Sequence, residues 1–278
     1  MAPFILEKYV KIAVLNLMPN KIETEKQLSK ALGYNNYKID FTFLRTRSYT
    51  PKNTDLQYLK NKYKSIDEII SNNYDGFICT GAPVERLPFD SVDYLDEIKE
   101  IMNWARANIL SSYYICWGAN VALNHFYDIK KVVYNQKLSG VYEHDIIKHR
   151  TNLMNGLSGK VKLPVSRFSG IKKSDIELIN ELELLLYSKV TGSGLIANLK
   201  YSEYYNFNHF EYDAKTLADE YKRDLSNGIK IEMPTNYFPS NNPNFSPINS
   251  WKKDGTIFFN NWLKSIRRAK DKLKIEKA

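Results

Sequence analysis

Residues 114–123 read Tyr-Ile-Cys-Trp-Gly-Ala-Asn-Val-Ala-Leu, an apolar run that passes through a cysteine into small residues compatible with a helix. This pattern predicts a β-strand that turns sharply into a helix at Cys116, and Gly118 permits the tight turn. The first turn of a helix has unpaired N–H groups and a partial positive charge, which favour a thiolate. Cys116 is therefore a candidate nucleophile, and a buried structural cysteine is the alternative.

The same segment offers a group that stabilises a reaction intermediate. In a nucleophile elbow, the oxyanion of a tetrahedral intermediate accepts a hydrogen bond from the N–H group after the nucleophile, here that of Trp117. We expect a second donor from the turn at Gly81 and Ala82. The sequence thus predicts an oxyanion site beside Cys116.

Composition limits the classes of protein to which this chain can belong. Its 278 residues, 43% of them hydrophobic, are enough to bury the core of a single α/β domain spanning 1–278. No apolar run is as long as a membrane span, and the first residues lack a signal-peptide pattern, so we expect a cytoplasmic location. Two cysteines indicate no disulfide framework.

The net charge of +9 does not identify a macromolecular partner. The 40 Lys and Arg residues are dispersed along the chain, which argues against a nucleic-acid-binding surface. Their densest run, at 267–274, is expected to belong to a solvated or frayed tail at about 267–278. A basic excess also suits a polyanionic small molecule such as a coenzyme A thioester.

Strands and helices alternate along the chain. Strands are predicted at 10–17, 37–44, 74–80, 114–116, 183–191, 194–199 and 203–208, and helices at 21–32, 91–108, 215–225 and 255–270. This order predicts an α/β fold with a mostly parallel sheet and helices on both faces. Sites in such folds form beyond the carboxyl ends of strands, so the loops at 16–19, 80–83 and 116–118 are expected to converge.

A cysteine nucleophile requires a base, and His209 is the candidate with an obvious orienting partner. His209 and Glu211 are two residues apart, so in an extended chain both side chains lie on one face. Glu211 can then orient the imidazole while its other nitrogen faces the thiol, and a surface pair is the alternative. His144 and His149 are expected at the surface, and the spacing of the histidines does not match a zinc site.

Five sequence motifs follow one another along the chain. They are Asn-Leu-Met-Pro-Asn-Lys-Ile-Glu-Thr-Glu (16–25), Thr-Gly-Ala-Pro-Val-Glu (80–85), Ile-Cys-Trp-Gly-Ala (115–119), Lys-Leu-Ser-Gly-Val-Tyr-Glu-His (137–144) and Asn-Tyr-Phe-Pro (236–239). Together they resemble the homoserine O-acyltransferases of the homoserine O-succinyltransferase family, from about Lys11 to Leu263. The resemblance implies a flavodoxin-like fold similar to that of the class I glutamine amidotransferases. It also implies a homodimer and ping-pong transfer of an acyl group from coenzyme A through a cysteine to a hydroxyl.

The resemblance assigns roles to individual residues. It implies that Cys116 carries the acyl thioester, that His209 is the proton acceptor and that Glu211 orients it. Three further residues match the family's contacts with the amino-acid substrate, namely Lys137, Ser166 and Arg223. Acyl-CoA is then a co-substrate, and we expect no permanently bound cofactor and no metal.

Glu85 occupies the position that the family associates with the choice of acyl donor. A glycine there accompanies succinyl transfer, whereas the side chain of Glu85 fills the space and its charge opposes a succinyl carboxylate. Acetyl-CoA is therefore the expected donor. The expected reaction is the O-acetylation of homoserine in methionine biosynthesis.

Two departures from the family pattern keep other functions open. Phe210 replaces the proline of the family's Thr-Gly-His-Pro-Glu with a bulky ring that is expected beside the acceptor pocket. Family members also usually carry an N-terminal arm, whereas this sequence starts shortly before Lys11. Serine, the acceptor of a branch that serves cysteine biosynthesis, is the alternative, and pockets separate molecules that differ by one methylene by only about 1–3 kcal/mol. The alternative from another class is a cysteine hydrolase similar to the glutamine amidotransferases.

Overall fold

A mixed β-sheet forms the centre of the protein in the computed structural model, which describes residues 9–33, 37–49, 54–148 and 151–276. Its strands are β1 (Tyr9–Leu15), β2 (Lys38–Leu44), β3 (Tyr63–Lys64), β4 (Gly76–Cys79), β5 (Ser111–Ile115), β6 (Val132–Ile146), β7 (Lys160–Gly170), β8 (Glu183–Ser188), β9 (Gly192–Asn198) and β10 (Glu203–Asn206). The α-helices are α1 (Lys21–Gly33), α2 (Leu56–Lys62), α3 (Leu95–Asn108), α4 (Trp117–Tyr127), α5 (Lys173–Glu177), α6 (Thr216–Ser226) and α7 (Lys252–Glu276). The strand order is β3-β2-β1-β4-β5-β10-β9-β8-β6-β7.

The part of the sheet from β3 to β10 is parallel and is covered by helices on both faces. Alternate side chains of one strand enter two different apolar clusters, as expected for a strand with no solvated face. In β1, Ala13 and Leu15 belong to a cluster with residues of α3 and α4, whereas Val14 packs with residues of α1 and α7. The predicted α/β fold, with a mostly parallel sheet between helices, is confirmed.

The parallel strands leave a crevice at one edge of the sheet. Because β1 lies between β2 and β4, the chain adds strands first on one side of β1 and then on the other. The loops after β1 and β4 diverge at such a reversal, beyond the carboxyl ends of the strands. The loop after β5 joins them, so the predicted convergence of the loops at 16–19, 80–83 and 116–118 is confirmed.

An antiparallel extension, part of which the sequence did not predict, completes the sheet. β6 and β7 pair along most of their length, and β7 is the edge strand. The register of β6 shifts between Val133 and Leu138, and such an irregularity breaks the alternation of apolar and polar residues that marks a strand. Lys137 lies within this shift, and Ser166 of β7 faces Ser139 of β6. Two predicted substrate contacts therefore come from strands that the sequence pattern missed.

The terminal helix is longer than predicted. α7 covers Lys252–Glu276 rather than 255–270, so the basic run at 267–274 is helical and Arg267 pairs with Asp271 one turn later. Its apolar side packs against the sheet through residues that include Trp262 and Ile266. Among the described helices, none combines the length and the apolar character needed to cross a bilayer.

His144 is buried, contrary to the surface position expected from its charged neighbours. Its side chain has no exposed area, and Nε2 lies 3.3 Å from the hydroxyl oxygen of Thr191. Burial lowers the pKa of His144 to about 4, so the ring is neutral at neutral pH. The expectation failed because β6 crosses the interior here and turns this face of the strand away from solvent. His149 lies outside the described residues.

Replacing Gly118 with alanine is expected to destabilise the packing of α4 on β4. An added Cβ atom would lie 2.6 Å from the carbonyl oxygen of Thr80 and 3.0 Å from that of Cys79, so the backbone would have to shift. We expect G118A to lose about 1–3 kcal/mol in the free energy of unfolding, measured by urea denaturation. G33A is the control, because no described atom lies within 4 Å of its added Cβ. Equal stability of G118A and the wild type would contradict this packing.

Candidate active site

Cys116 lies at the turn between β5 and α4 in a strained backbone conformation. Its φ of 52° and ψ of −115° are unfavourable for a residue that has a side chain. Its N–H group donates to the carbonyl oxygen of Asn206 over 2.7 Å. Its own carbonyl oxygen accepts from the N–H groups of Ala119 and Asn120 in the first turn of α4. These bonds form the predicted elbow and fix the position of the thiol.

The loop after β10 carries His209 to the same edge of the sheet. β10 pairs with β5 in parallel, and Asn206 is the partner of Ile115, so both strands end together. The side chain of Asn206 donates to the carbonyl oxygen of Asn208 and accepts from its N–H group. The N–H group of His209 then donates to the carbonyl oxygen of Pro164. The loop is thus held at both sides, and the imidazole is fixed relative to the elbow.

His209 and Glu211 form the predicted pair. Nδ1 of His209 lies 2.6 Å from Oε1 of Glu211, and the imidazole stacks on the ring of Tyr212 with centroids 4.0 Å apart. Both His209 and Glu211 are buried. Among the described residues, Nε2 of His209 has no hydrogen-bond partner. This nitrogen is therefore available to exchange a proton with a group in the adjoining cavity.

One cavity of about 420 Å³ brings most of the predicted site residues together, since its lining includes Cys116, His209, Glu85, Lys137, Ser166 and Arg223. Glu211 lies behind the imidazole and lines a different cavity. Gly81 packs against the elbow, where an added Cβ atom would lie 3.2 Å from Cβ of Cys116 and 3.6 Å from the nitrogen of Trp117. In the described part of the chain, no group of three His, Cys, Asp or Glu residues is arranged to ligate a metal ion.

The thiol of Cys116 is turned towards Glu85. Sγ lies 3.2 Å from Oε1 of Glu85, and Oε2 of the same carboxyl group accepts from the N–H group of Phe168 over 2.9 Å. Burial raises the pKa of Cys116 well above its ordinary value, and the charge of Glu85 raises it further. Burial also raises the pKa of Glu85. The thiol is therefore protonated in this state of the site.

The expectation that the helix terminus favours a thiolate is wrong for this state. The N–H group of Trp117 does lower the pKa of Cys116, as the position at the start of α4 implies. Burial and the adjacent carboxylate of Glu85 oppose this effect and outweigh it. A base or a change in the position of Glu85 is therefore needed before Cys116 becomes nucleophilic.

A compact group of charges forms the other end of the cavity. Nζ of Lys137 lies 2.7 Å from Oδ2 of Asp224 and 3.7 Å from Oε2 of Glu220, and Ser166 donates to Glu220. Arg223 donates to Oδ1 of Asp224 through two nitrogens. Although burial opposes it, these hydrogen bonds lower the pKa of Asp224 below its ordinary value. The group therefore offers both cations and carboxylates to a zwitterionic ligand.

Sequence reasoning missed Glu220 and Asp224. Both residues line the cavity, and they are four residues apart on α6, which places them on one face of the helix. That spacing was the available signal, but it also occurs on solvated helices. The decisive fact is the contact with Lys137 of β6, which is distant in sequence.

Phe210 does not reach the cavity of Cys116. Its ring stacks on Phe258 of α7 with centroids 4.3 Å apart, and it lines the separate cavity behind Glu211. The interpretation that placed this ring beside the acceptor pocket is wrong, because the chain turns at Phe210 and Glu211 and the ring packs against α7 instead. The replacement of the family's proline therefore changes the packing on α7 rather than the cavity wall.

Solved structures with the same architecture define the class of fold. A glutamine amidotransferase from Methylobacillus flagellatus aligns with a TM-score of 0.58 and 10% identity, covering 93% of this chain and 95% of that one. A glutamine amidotransferase from Thermotoga maritima aligns with a TM-score of 0.54 and 13% identity, covering 94% and 97%. The protein therefore has the α/β fold of the class I glutamine amidotransferases.

Sequence comparison identifies the family within that class. The model of the homoserine O-succinyltransferase family matches residues 7–271. A homoserine O-acetyltransferase from Thermotoga neapolitana is 42% identical over 267 residues, which cover 96% of this chain and 88% of the relative. Another from Rhizobium rhizogenes is 39% identical over 257 residues, which cover 92% and 83%. The chain belongs to the homoserine O-succinyltransferase family and is an acyltransferase.

Removing the charge of Glu85 is expected to make Cys116 easier to ionise. The carboxylate raises the pKa of the thiol, so in E85Q the rate of alkylation by iodoacetamide should reach its half-maximum at a lower pH than in the wild type. Mass spectrometry of the alkylated peptide assigns the rate to Cys116. E143Q, which removes an exposed carboxylate outside the cavity, should leave the midpoint unchanged. A midpoint in E85Q equal to or above that of the wild type would contradict the electrostatic role of Glu85.

Proposed function

We propose that this acyltransferase moves an acetyl group from acetyl-CoA through a thioester on Cys116 to the hydroxyl group of homoserine, a step of methionine biosynthesis. The observation that carries the proposal is the meeting of an elbow cysteine and an oriented histidine in one cavity. The opposite end of that cavity bears the charges that a free amino acid requires. The names of the relatives support both homoserine and the acetyl group.

The first half-reaction begins when the thiol of Cys116 turns away from Glu85 and towards His209. Rotation of the Cys116 side chain brings Sγ to Nε2 of His209, which takes the proton, and Glu211 stabilises the resulting imidazolium. The thiolate attacks the thioester carbonyl carbon, and the N–H group of Trp117 donates to the oxyanion. The intermediate collapses to acetyl-Cys116, and the coenzyme A thiolate leaves with the proton of His209. The turn at Gly81 and Ala82 is the proposed source of the second donor to the oxyanion.

The second half-reaction uses the same histidine on the acceptor. Arg223 and Lys137 bind the carboxylate of the amino acid, and Glu220 binds its ammonium group. Nε2 of His209 removes the hydroxyl proton as the oxygen attacks the acetyl carbon of acetyl-Cys116. Collapse of this intermediate releases the O-acetyl amino acid, and the thiolate takes the proton back from His209. The enzyme is thereby returned to its starting state.

Glu85 is proposed to select the acetyl donor. Its side chain is buried and lies within hydrogen-bond distance of Sγ, where the acyl chain of a longer thioester would extend. A succinyl carboxylate at this place would lose its hydration and meet another carboxyl group. The acetyl group carries no charge and needs less space, so it fits once the thiol has turned away.

An isotope-exchange experiment tests the covalent route. If the reaction passes through acetyl-Cys116, labelled coenzyme A must enter acetyl-CoA in the absence of any acceptor. C116A should abolish this exchange, and H209N should slow it by about 10²–10⁴-fold, because a positioned general base contributes that much. Exchange that requires the amino acid would contradict the ping-pong route. Hydrolysis of glutamine without exchange would favour the amidotransferase-like alternative.

Variants of Glu85 test donor selection. The wild type should use acetyl-CoA with a higher kcat/KM than succinyl-CoA, and E85G should gain activity with succinyl-CoA because both the charge and the volume are removed. E85Q is the matched control, since it keeps the volume and removes the charge. A wild type that turns over succinyl-CoA faster than acetyl-CoA would contradict the role of Glu85.

A competition assay tests the acceptor. Phe210, which favoured serine on sequence grounds, lies outside the Cys116 cavity, and the named relatives favour homoserine. We therefore expect a higher kcat/KM for homoserine than for serine when both are present with acetyl-CoA. The difference of one methylene gives a preference of about 10–200-fold at most. A preference for serine would assign the protein to cysteine biosynthesis instead.

A further inference from the structure

A second cavity of about 240 Å³ adjoins the cavity of Cys116. The two share four lining residues, all from the loops after β1 and β4, namely Met18, Pro19, Pro83 and Val84. Both cavities therefore lie in the crevice at the reversal of strand order, where α/β folds bind ligands. In the Cys116 cavity, the residues proposed to bind the amino acid come from β6, β7 and α6. The apolar wall of this cavity leads towards the second cavity.

The charged side chains that line the second cavity are both cations, Lys21 and Arg45. Nζ of Lys21 is buried and donates to the carbonyl oxygen of Asn16. Arg45 follows the carboxyl end of β2, and its guanidinium donates to the carbonyl oxygen of Thr46 over 3.4 Å. No carboxylate among the described residues pairs with Arg45. A guanidinium with free N–H groups in a crevice is suited to a phosphate group.

Aromatic rings complete the second cavity. Tyr49 and Tyr94 both line it, and their ring centroids are 5.0 Å apart. The remaining walls are mostly apolar, with contributions from Leu17 and Val84, and include the polar residues Asn16 and Thr46. A long, mostly uncharged chain that ends in phosphate groups would match this combination of apolar walls, rings and a cation.

We propose that the second cavity binds the phosphate-bearing end of the coenzyme A donor, with Arg45 contacting its phosphates. This inference rests on the proposed function, because a coenzyme A donor bound in this cavity would supply the thioester that reacts with Cys116. The pantetheine arm runs between the loops after β1 and β4, past Pro19 and Val84. The amino acid then has its own end of the cavity at Arg223, so donor and acceptor contact different residues.

The other large cavities of the described residues are less suited to a polyphosphate. The cavity behind Glu211 is also lined by Glu23, Asp213 and Asp219, and it does not include Cys116. A groove beside β6 is lined by two carboxylates and three lysines, and it shares no lining residue with the Cys116 cavity. Both linings also contain lysines, but the second cavity differs from both in having no carboxylate in its lining and in sharing four residues with the Cys116 cavity.

The test compares two acetyl donors on R45Q. Acetyl-CoA and acetyl-pantetheine carry the same thioester, but only acetyl-CoA has the diphosphate and the nucleotide. In R45Q, we expect kcat/KM for acetyl-CoA to fall by about tenfold or more, whereas kcat/KM for acetyl-pantetheine and KM for homoserine stay at the wild-type values. R45K, which keeps the charge and loses the planar fork, should fall between R45Q and the wild type.

R268Q is the matched control, because it removes one exposed arginine charge from α7, away from both cavities, and should behave like the wild type. Equal losses with both donors in R45Q, or no loss with either, would overturn the assignment of Arg45. If R45Q loses activity with neither donor, the wild type still reacts with acetyl-CoA, so the proposed function stands although the assignment of Arg45 fails. A folded wild type that reacts with neither donor would overturn the proposed function and this inference together.

Discussion

The hydrogen bond from the N–H group of Cys116 to the carbonyl oxygen of Asn206 is the interaction on which the site depends. It continues the parallel pairing of β5 with β10 beyond the last residues of both strands. The elbow after β5 and the loop that carries His209 therefore begin at the same level of the sheet. The unfavourable backbone angles of Cys116 persist because this bond, the first turn of α4 and the close approach of Gly118 to β4 all fix the same conformation.

The electrostatics of the site favour the protonated form of the Cys116 thiol. A buried thiolate beside a carboxylate is unfavourable, so the proton stays on Cys116 while its thiol faces Glu85. His209 is already oriented by Glu211, but its Nε2 has no partner among the described residues. In the proposed mechanism, donor binding and the turning of the thiol are one event. In this proposal, Glu85 links donor selection to the activation of Cys116.

Much of the parallel part of the sheet could be predicted, because β1, β4 and β5 are apolar runs followed within a few residues by proline or glycine, and local pattern is sufficient to find them. β6 could not, because a shift in register near Lys137 interrupts its alternation, and β7 contains Pro164, a residue that argues against a strand. The elbow and the spacing of His209 and Glu211 were readable from the residues alone, whereas the roles of the substrate contacts came from the family resemblance. The contact of Cys116 with Glu85, and the pairing of Lys137 with Asp224, depend on tertiary structure between distant residues, so local patterns carry no signal for them.

Intact-protein mass spectrometry after mixing with acetyl-CoA alone tests the central claim, that Cys116 carries the acyl group, most directly. The account predicts the addition of one acetyl group, located on the peptide that contains Cys116, absent in C116A and lost when homoserine is added. C79A, which changes the other buried cysteine, should acquire the adduct as the wild type does. A folded wild-type protein that acquires no adduct, or an adduct that persists in C116A, would contradict the account.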